Sequence, residues 1–216
     1  MKYILLIFSL VLILLFSGNY YLDQKPSITL EDSITMRQKV IQREFCLKQF
    51  WNKTDTLKLD TVTVFKNSLM CYNKLPSAFF RMTRLKHVQL DTEIKFDTLT
   101  EEIGQLIELE ILEITKSNLK YLPKSIGKLT NLKKLTVAWG GGLTEIPPEV
   151  GNLSKLEVLD LFRNKLTTLP HQISKLKHLK KLILGENNFS ESERSRISKL
   201  LPNCEIQFEI HSVYRK

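Results

Sequence analysis

Leucine recurs through the middle of this chain at a nearly constant interval, and no other feature limits the accessible folds as strongly. The clearest copy of the pattern spans residues 156–170 and reads LEVLDLFRNKLTTLP. The same template fits six times, with intervals of 26, 24, 23, 24 and 23 residues between its leading leucines. This spacing predicts stacked units that share one apolar core. The leading positions are Leu59, Leu85, Leu109, Leu132, Leu156 and Leu179.

The two halves of each unit have different periods. Three and five residues after the leading leucine, every unit carries Leu, Val or Ile, as at Val62 and Val64, which is typical of a strand with one buried face. Ten residues before the next leading leucine begins an apolar triplet at i, i+4 and i+7, which predicts a helical turn. All length variation therefore falls between strand and turn. The triplets begin at Leu75, Leu99, Leu122, Ile146 and Leu169.

These residues resemble the leucine-rich repeat family, and LPKSIGKL at residues 122–129 is similar to its short 23-residue class, which is related to Ras-group repeats. The resemblance covers residues 59 to about 208. It implies an α/β fold, a right-handed solenoid or horseshoe arc with a parallel sheet on the concave face and short helical turns on the convex face. It also implies non-catalytic protein recognition, often in signalling or host contact.

The family's Asn, whose side chain bonds the backbone of the adjacent unit, matches Asn67, Asn164 and Asn187. Three units depart from this pattern, and the glycines at 140–142 are expected to form a local bulge. The departing residues are Glu93, Ser117 and Gly140.

Four segments are expected along the chain. Helical spacing at Leu30, Ile34, Ile41 and Phe45 predicts a helix that covers the first repeat, and a capping box at Ser190 starts a closing helix and strand. The segments are a signal peptide or signal anchor at 1–22, a connector and N-terminal capping helix at 23–58, leucine-rich repeats at 59–189, and a helix–strand C-terminal cap at 190–216.

The leader has two interpretations. Residues 3–22 carry no charge and are long enough to span a bilayer as a helix. A secretory signal peptide explains the same residues, although cleavage after Gly18 would place bulky Phe16 where a small residue is preferred. Either way the folded part is expected outside the cytosol, membrane-anchored through residues 3–22 if uncleaved and secreted or periplasmic if cleaved.

Three cysteines are an odd number for an exported chain. If the capping helix packs on the first repeat, Cys46 could approach Cys71 and form a disulfide. The alternative is that these two and Cys204 are buried thiols that act as small hydrophobic residues.

The residues between the buried ones line up in columns across parallel strands. One column alternates in sign from Asp60 to Lys180, which suits pairing between neighbouring strands. Near the strand ends, aromatic residues lie beside cations, as in interaction hot spots. In the alternative, Trp139 folds against the glycines and Phe162 only covers a neighbour. The candidate partner-binding residues are Trp139, Phe162, Arg163, Lys116, Phe65 and Lys66.

Function is therefore predicted to be non-catalytic binding of a protein partner on the concave face, without a cofactor. The four histidines lie in no metal-ligand spacing, and no nucleophile motif accompanies them. The formal charge of +9 makes a surface binder of anionic polysaccharide or lipid the alternative, and an envelope structural protein is a third possibility. Nucleic acid is not an expected partner, because no recognition motif accompanies the charge.

Overall fold

In the computed structural model of the chain, the described residues are 63–68, 75, 77–91 and 96–209. The expected leader, the expected capping helix at 23–58, and both Cys46 and Cys71 lie outside these residues. The described residues include most of the repeat region and the closing helix and strand.

Within the described ranges, seven strands form one parallel sheet in which spatial order follows chain order. Adjacent units stack with their strands in register. The successive register partners include Leu112, Leu135, Leu159 and Leu182. The expected solenoid of leucine-rich repeats is confirmed. The strands are β1 Val64–Ser68, β2 His87–Asp91, β3 Ile111–Thr115, β4 Lys134–Ala138, β5 Val158–Asp160, β6 Lys181–Ile183 and β7 Glu205–Gln207.

A five-residue 3-10 helix connects each strand to the next in the first five units. Close stacking of these turns explains the Ile-Gly pair within them, because a Cβ on Gly127 would lie 2.5 Å from the carbonyl oxygen of Glu149 in the next turn. The predicted helical turns are thus confirmed in the tighter 3-10 form. They span Ser77–Arg81, Glu101–Gln105, Lys124–Lys128, Pro148–Asn152 and His171–Lys175.

The main core lies between the strands and the 3-10 turns. The leading leucines Leu109, Leu132 and Leu156 are fully buried in one continuous cluster, together with the apolar triplets of the turns. Burying one such side chain stabilises the fold by about 2 kcal/mol. A further buried column completes the core, with one residue after each of the strands β2 to β6: Phe96, Leu119, Leu143, Leu166 and Phe189.

The first repeat is placed three residues differently from the sequence prediction. Val64, expected in the core, is 52% exposed, whereas Phe65 is buried against Phe79 with ring centroids 5.0 Å apart. The register pairs Phe65 with Val88 and Asn67 with Leu90. The backbone of Asn67 therefore pairs with Leu90 and not with residue 93, the position of the family's Asn, so the core assignment of Val64 and the assignment of Asn67 were both wrong.

The later asparagines bond as the resemblance implies. Asn164 Oδ1 accepts the N–H of Leu143 at 3.3 Å, while its Nδ2 donates to the carbonyl oxygens of Val137 and Leu161. Asn187 makes the equivalent bonds one unit later. Each amide thus ties its own strand end to the preceding unit.

Glycine replaces this Asn in the fourth repeat because two units approach closely there. A Cβ on Gly140 would lie 1.9 Å from the carbonyl oxygen of Ser117. The next residue, Gly141, has φ +64° and donates its N–H to the carbonyl oxygen of Arg163 at 3.0 Å. This local turn accommodates the extra residue of the 24-residue unit.

The C-terminal cap consists of helix α1, Glu191–Leu200, followed by β7 on the edge of β6. Ser190 caps the helix by accepting the N–H of Glu193 at 3.2 Å. The Glu193 carboxylate does not reach back to close a capping box. It binds Arg196, the Thr168 hydroxyl and the N–H of Leu169, and so anchors the cap on the last repeats.

Candidate functional site

One face of the sheet is turned away from the main core, and we call it the open face. Its side chains come from alternate positions of the strands and from the residues that flank them. Because the strands are in register, equivalent side chains repeat at about 4.8 Å across this face. The open face is therefore a regular array in which each residue has one neighbour on either side.

The residues directly before β3, β4, β5 and β6 form a ladder of alternating charge. Lys133 Nζ lies 2.7 Å from Glu110 Oε2, and Lys180 Nζ lies 2.7 Å from Glu157 Oε2. Hydrogen bonds from these lysines, followed by their charges, lower the pKa of both carboxyls. The predicted cross-strand pairing is confirmed for these two pairs, which are satisfied within the molecule.

Glu113 of β3 joins two neighbouring strands at the middle of the open face. Its carboxylate lies 3.3 Å from His87 Nε2 on β2 and 2.5 Å from Lys134 Nζ on β4. Burial opposes ionisation of Glu113 and is the largest single influence, but Lys134 and His87 together outweigh it and lower the pKa. Sequence reasoning missed this bridge because it treated each column separately.

Four residues follow β3 to β6 at equivalent positions, and we call them the strand-end row. All four have positive φ, between 55° and 64°, although none is glycine. Such a conformation costs about 1 kcal/mol for a non-glycine residue. It is offset because the row extends the backbone ladder, as where the Trp139 N–H donates to the Phe162 carbonyl oxygen at 3.0 Å. The row consists of Lys116, Trp139, Arg163 and Glu186.

An aromatic patch, defined by Trp139, Phe162 and Arg163, occupies the middle of this row. Trp139 is 38% exposed, and its ring meets the Phe162 ring edge-on with centroids 4.8 Å apart. The Arg163 guanidinium carbon lies 5.6 Å from the centroid of the indole. The structure therefore brings together three of the six residues predicted for the site.

Phe162 is only 3% exposed, in contrast to the expectation that it faces solvent. It forms a small cluster with Ala138 and Ile183, separate from the main core, and its ring lies over Gly185. Phe162 therefore supports Trp139 from beneath. Ile183 was missed, although an apolar residue where the neighbouring strands carry Thr136 and Asp160 was a signal in the sequence.

Asp160 ends β5 next to the patch. It is buried, and its Oδ1 accepts the N–H of Phe162 at 3.0 Å. Burial raises the pKa of this carboxyl, and the Phe162 N–H with the charges of Lys134 and Lys181 offsets the effect only in part. The hydrogen bond fixes the backbone that carries the aromatic patch.

The other three predicted site residues lie apart from the patch. Lys116 belongs to the strand-end row but is paired with Asp91 at 3.1 Å. Phe65 is buried in the main core, so the expectation that it faces solvent was wrong. Lys66 lies in β1, where its backbone pairs with Gln89, several strands from Trp139.

Other kinds of site have less support in the described part of the chain. No group of three or more His, Cys, Asp or Glu side chains there could hold a metal ion. No helix among these residues is long and apolar enough to cross a membrane. Cys204 is a free thiol whose pKa burial raises to about 11, so it is a poor nucleophile.

Comparison with known proteins identifies the repeat. The family model described as leucine rich repeat matches residues 130–189. A leucine-rich-repeat protein of Leptospira interrogans is 38% identical to the chain with a TM-score of 0.57, and the match covers 62% of this chain and 34% of that protein. This chain thus spans about a third of the length of the Leptospira protein.

Two further solved structures are similar to part of the chain. The Arabidopsis receptor kinase HAESA, solved with a peptide hormone and a co-receptor, is 28% identical over 54% of this chain and 20% of its own, with a TM-score of 0.46. An internalin of Listeria monocytogenes is 21% identical over 63% of this chain and 55% of its own, with a TM-score of 0.46. No curated protein sequence matches the chain.

Proposed function

Because this chain is a leucine-rich-repeat protein, we propose that it binds another protein through the open face of its sheet. Proteins of this class are typically non-catalytic interaction modules. The observation that carries the proposal is the aromatic patch, where an indole remains 38% exposed although a Phe ring and a guanidinium pack against it. Tryptophan and arginine are the residue types most enriched among interface hot spots.

The patch is ordered before a partner arrives, which favours binding. Phe162 holds the indole edge-on, and the ladder bond from the Trp139 N–H fixes the backbone below it. Fixing a mobile side chain on association costs about 1 kcal/mol, and a side chain that is already held avoids most of that cost. Most of the free energy gained when a partner buries the ordered indole ring therefore goes into affinity.

In this proposal the uncharged segment at residues 3–22 carries the repeats out of the cytosol. If it stays uncleaved, it anchors the protein in the membrane with the open face outside. If it is cleaved, the protein is secreted or periplasmic. Mass spectrometry of the mature N-terminus distinguishes the two, because a start near Asn19 would contradict the anchor.

Capture of the partner from the native envelope tests the proposal. The full-length protein is immobilised and washed at low salt and at about 0.5 M salt, where surface charges are largely screened. A partner held by the aromatic patch should stay bound at high salt. A polyanion attracted by the net charge of +9 should be lost.

The decisive variant is Trp139→Ala, matched by Tyr121→Ala. Tyr121 is also an exposed aromatic residue, at 58%, but it lies beside the 3-10 turns and not in the sheet. Trp139→Ala should lose the salt-resistant partner, while Tyr121→Ala should retain it. Equal retention by both variants would contradict the proposal.

A further inference from the structure

Arg163 differs from the other cation of the strand-end row because no carboxylate among the described residues pairs with it. Lys116 Nζ lies 3.1 Å from Asp91 Oδ2 on the strand of the preceding unit. Within the described residues, Arg163 makes neither an ion pair nor a side-chain hydrogen bond, and its guanidinium lies over the Trp139 ring. Among the residues that the structure describes, the row therefore holds one cation with a carboxylate partner and one without.

The register explains this difference. Lys116 reaches back one unit to the final residue of β2, which is Asp91. The residue that corresponds to Asp91 for Arg163 is Ala138, the final residue of β4, which carries no charge. On the other side of Arg163 the equivalent position is Gly185. The register position that supplies an acid to Lys116 therefore supplies none to Arg163.

The chemistry of the patch indicates what could bind there. A guanidinium has five N–H donors in one plane and binds a carboxylate through two parallel hydrogen bonds. The indole beside it presents an apolar surface. A ligand that uses both groups carries a carboxylate next to an apolar group, as an Asp or Glu flanked by an apolar residue does.

We infer that the aromatic patch is a subsite for an acidic side chain of the partner protein, which binds Arg163 while a neighbouring apolar side chain packs on Trp139. This inference rests on the proposed function, because it names the chemistry that the open face recognises. Glu186 occupies the next position of the row and repels an anion on that side. The acidic side chain therefore approaches Arg163 from the side of Trp139.

Selection from a random peptide library on the full-length protein in detergent tests the inference. The selected peptides should be enriched in Asp or Glu beside an apolar residue. The tightest peptide is then titrated against a copy in which the acid is replaced by its amide. Loss of a charge-assisted hydrogen bond should weaken the copy at least about tenfold.

Variants of the protein locate the effect. Arg163→Gln should bind the acid and amide peptides equally, and Arg163→Lys should keep part of the preference, since lysine lacks the planar fork. Lys180→Gln is the matched control. It removes one positive charge from the same face, but from a lysine already paired with Glu157, and it should keep the full preference.

Three results would overturn the inference: no enrichment of acidic peptides, equal binding of both copies to the wild type, or an acid preference that survives Arg163→Gln. Competition by polygalacturonate at matched carboxylate concentration, with no peptide selected, would assign the patch to an anionic polysaccharide instead. If partner capture is lost with Trp139→Ala but kept with Arg163→Gln, the proposed function stands and this inference fails.

Discussion

Charged side chains are paired with one another just before the strands, but not in the aromatic patch just after them. Before the strands, Glu110, Lys133, Glu157 and Lys180 alternate in sign and close two ion pairs of 2.7 Å within the molecule. After the strands, Arg163 of the aromatic patch forms no ion pair with any described carboxylate, and Trp139 stays partly exposed. Where the charged side chains of adjacent repeats pair with each other, few charged groups remain for a partner to bind. Where stacking places Ala138 and Gly185 beside Arg163, the binding groups remain accessible.

The largest effect is expected from Phe162→Ala, which removes the support of the patch. Phe162 is 3% exposed and packs on Ala138 and Ile183, so the variant should lose about 3 kcal/mol of unfolding free energy. Urea denaturation followed by circular dichroism measures the loss. A change too small to resolve would show that the patch has no supporting cluster.

Trp139→Ala is the comparison for that measurement, because the indole lies on top of the cluster. With 38% of the residue exposed, the loss should stay below about 1 kcal/mol. If Trp139→Ala lost as much unfolding free energy as Phe162→Ala, Trp139 would be a core residue. The contrast between the paired charges before the strands and the binding groups after them would then disappear.

Glu113→Gln should cost about 1 kcal/mol at neutral pH, because the carboxylate joins His87 and Lys134 across three strands. The folded state lowers the pKa of Glu113 below 4.5, so its stabilisation is complete above that pH and is lost as the pH falls through the folded-state value. Unfolding curves of both proteins should therefore converge on acidification. A constant difference down to the lowest pH would contradict the ionic bridge.

Asp160→Asn should respond to pH in the opposite direction. The folded state raises the pKa of Asp160 above 3.8, so the wild type is favoured below that pH and loses this advantage as the pH rises through the folded-state value. Relative to the wild type, the variant should gain stability between acidic and neutral pH. If the difference in unfolding free energy between the variant and the wild type were the same at acidic and at neutral pH, burial would not raise the pKa of Asp160.

The smallest effect is expected from Lys180→Gln. Its side chain is 73% exposed, and exposed ion pairs contribute little to stability. The melting temperature should not change measurably, and scanning calorimetry in low and high salt checks this. A clear fall in melting temperature that disappears in high salt would show that the charge ladder stabilises the fold more than the exposure of its side chains suggests.

Most of the fold could be predicted from the sequence, because strict spacing leaves few ways to bury the leucines together. The first repeat was the exception. Leu59, Val62 and Val64 fit the template as well as any other unit, yet the register pairs Phe65 with the core residue Val88, a pairing that the template gives to Val62. A large aromatic ring that packs on Phe79 fills the core better than a valine, and a pattern built on Leu, Val and Ile does not find it.

The site was only partly predictable. The columns identified Trp139 and Arg163, because their positions follow from register alone. Burial of Phe162 depends on Gly185 and Ile183 in the next unit, which leave space for the ring and an apolar surface beside it. A column of equivalent positions shows which residues are neighbours across the sheet. It does not show whether an aromatic side chain among them is buried or exposed.

The uniform backbone of the strand-end row has an evolutionary consequence. A lysine, a tryptophan, an arginine and a glutamate all adopt nearly the same dihedral angles there, so the stacked units and not the side chains set the conformation. A mutation in this row can therefore exchange charge for aromaticity without altering the scaffold. Selection can then change what the protein recognises one repeat at a time, while the fold stays constant.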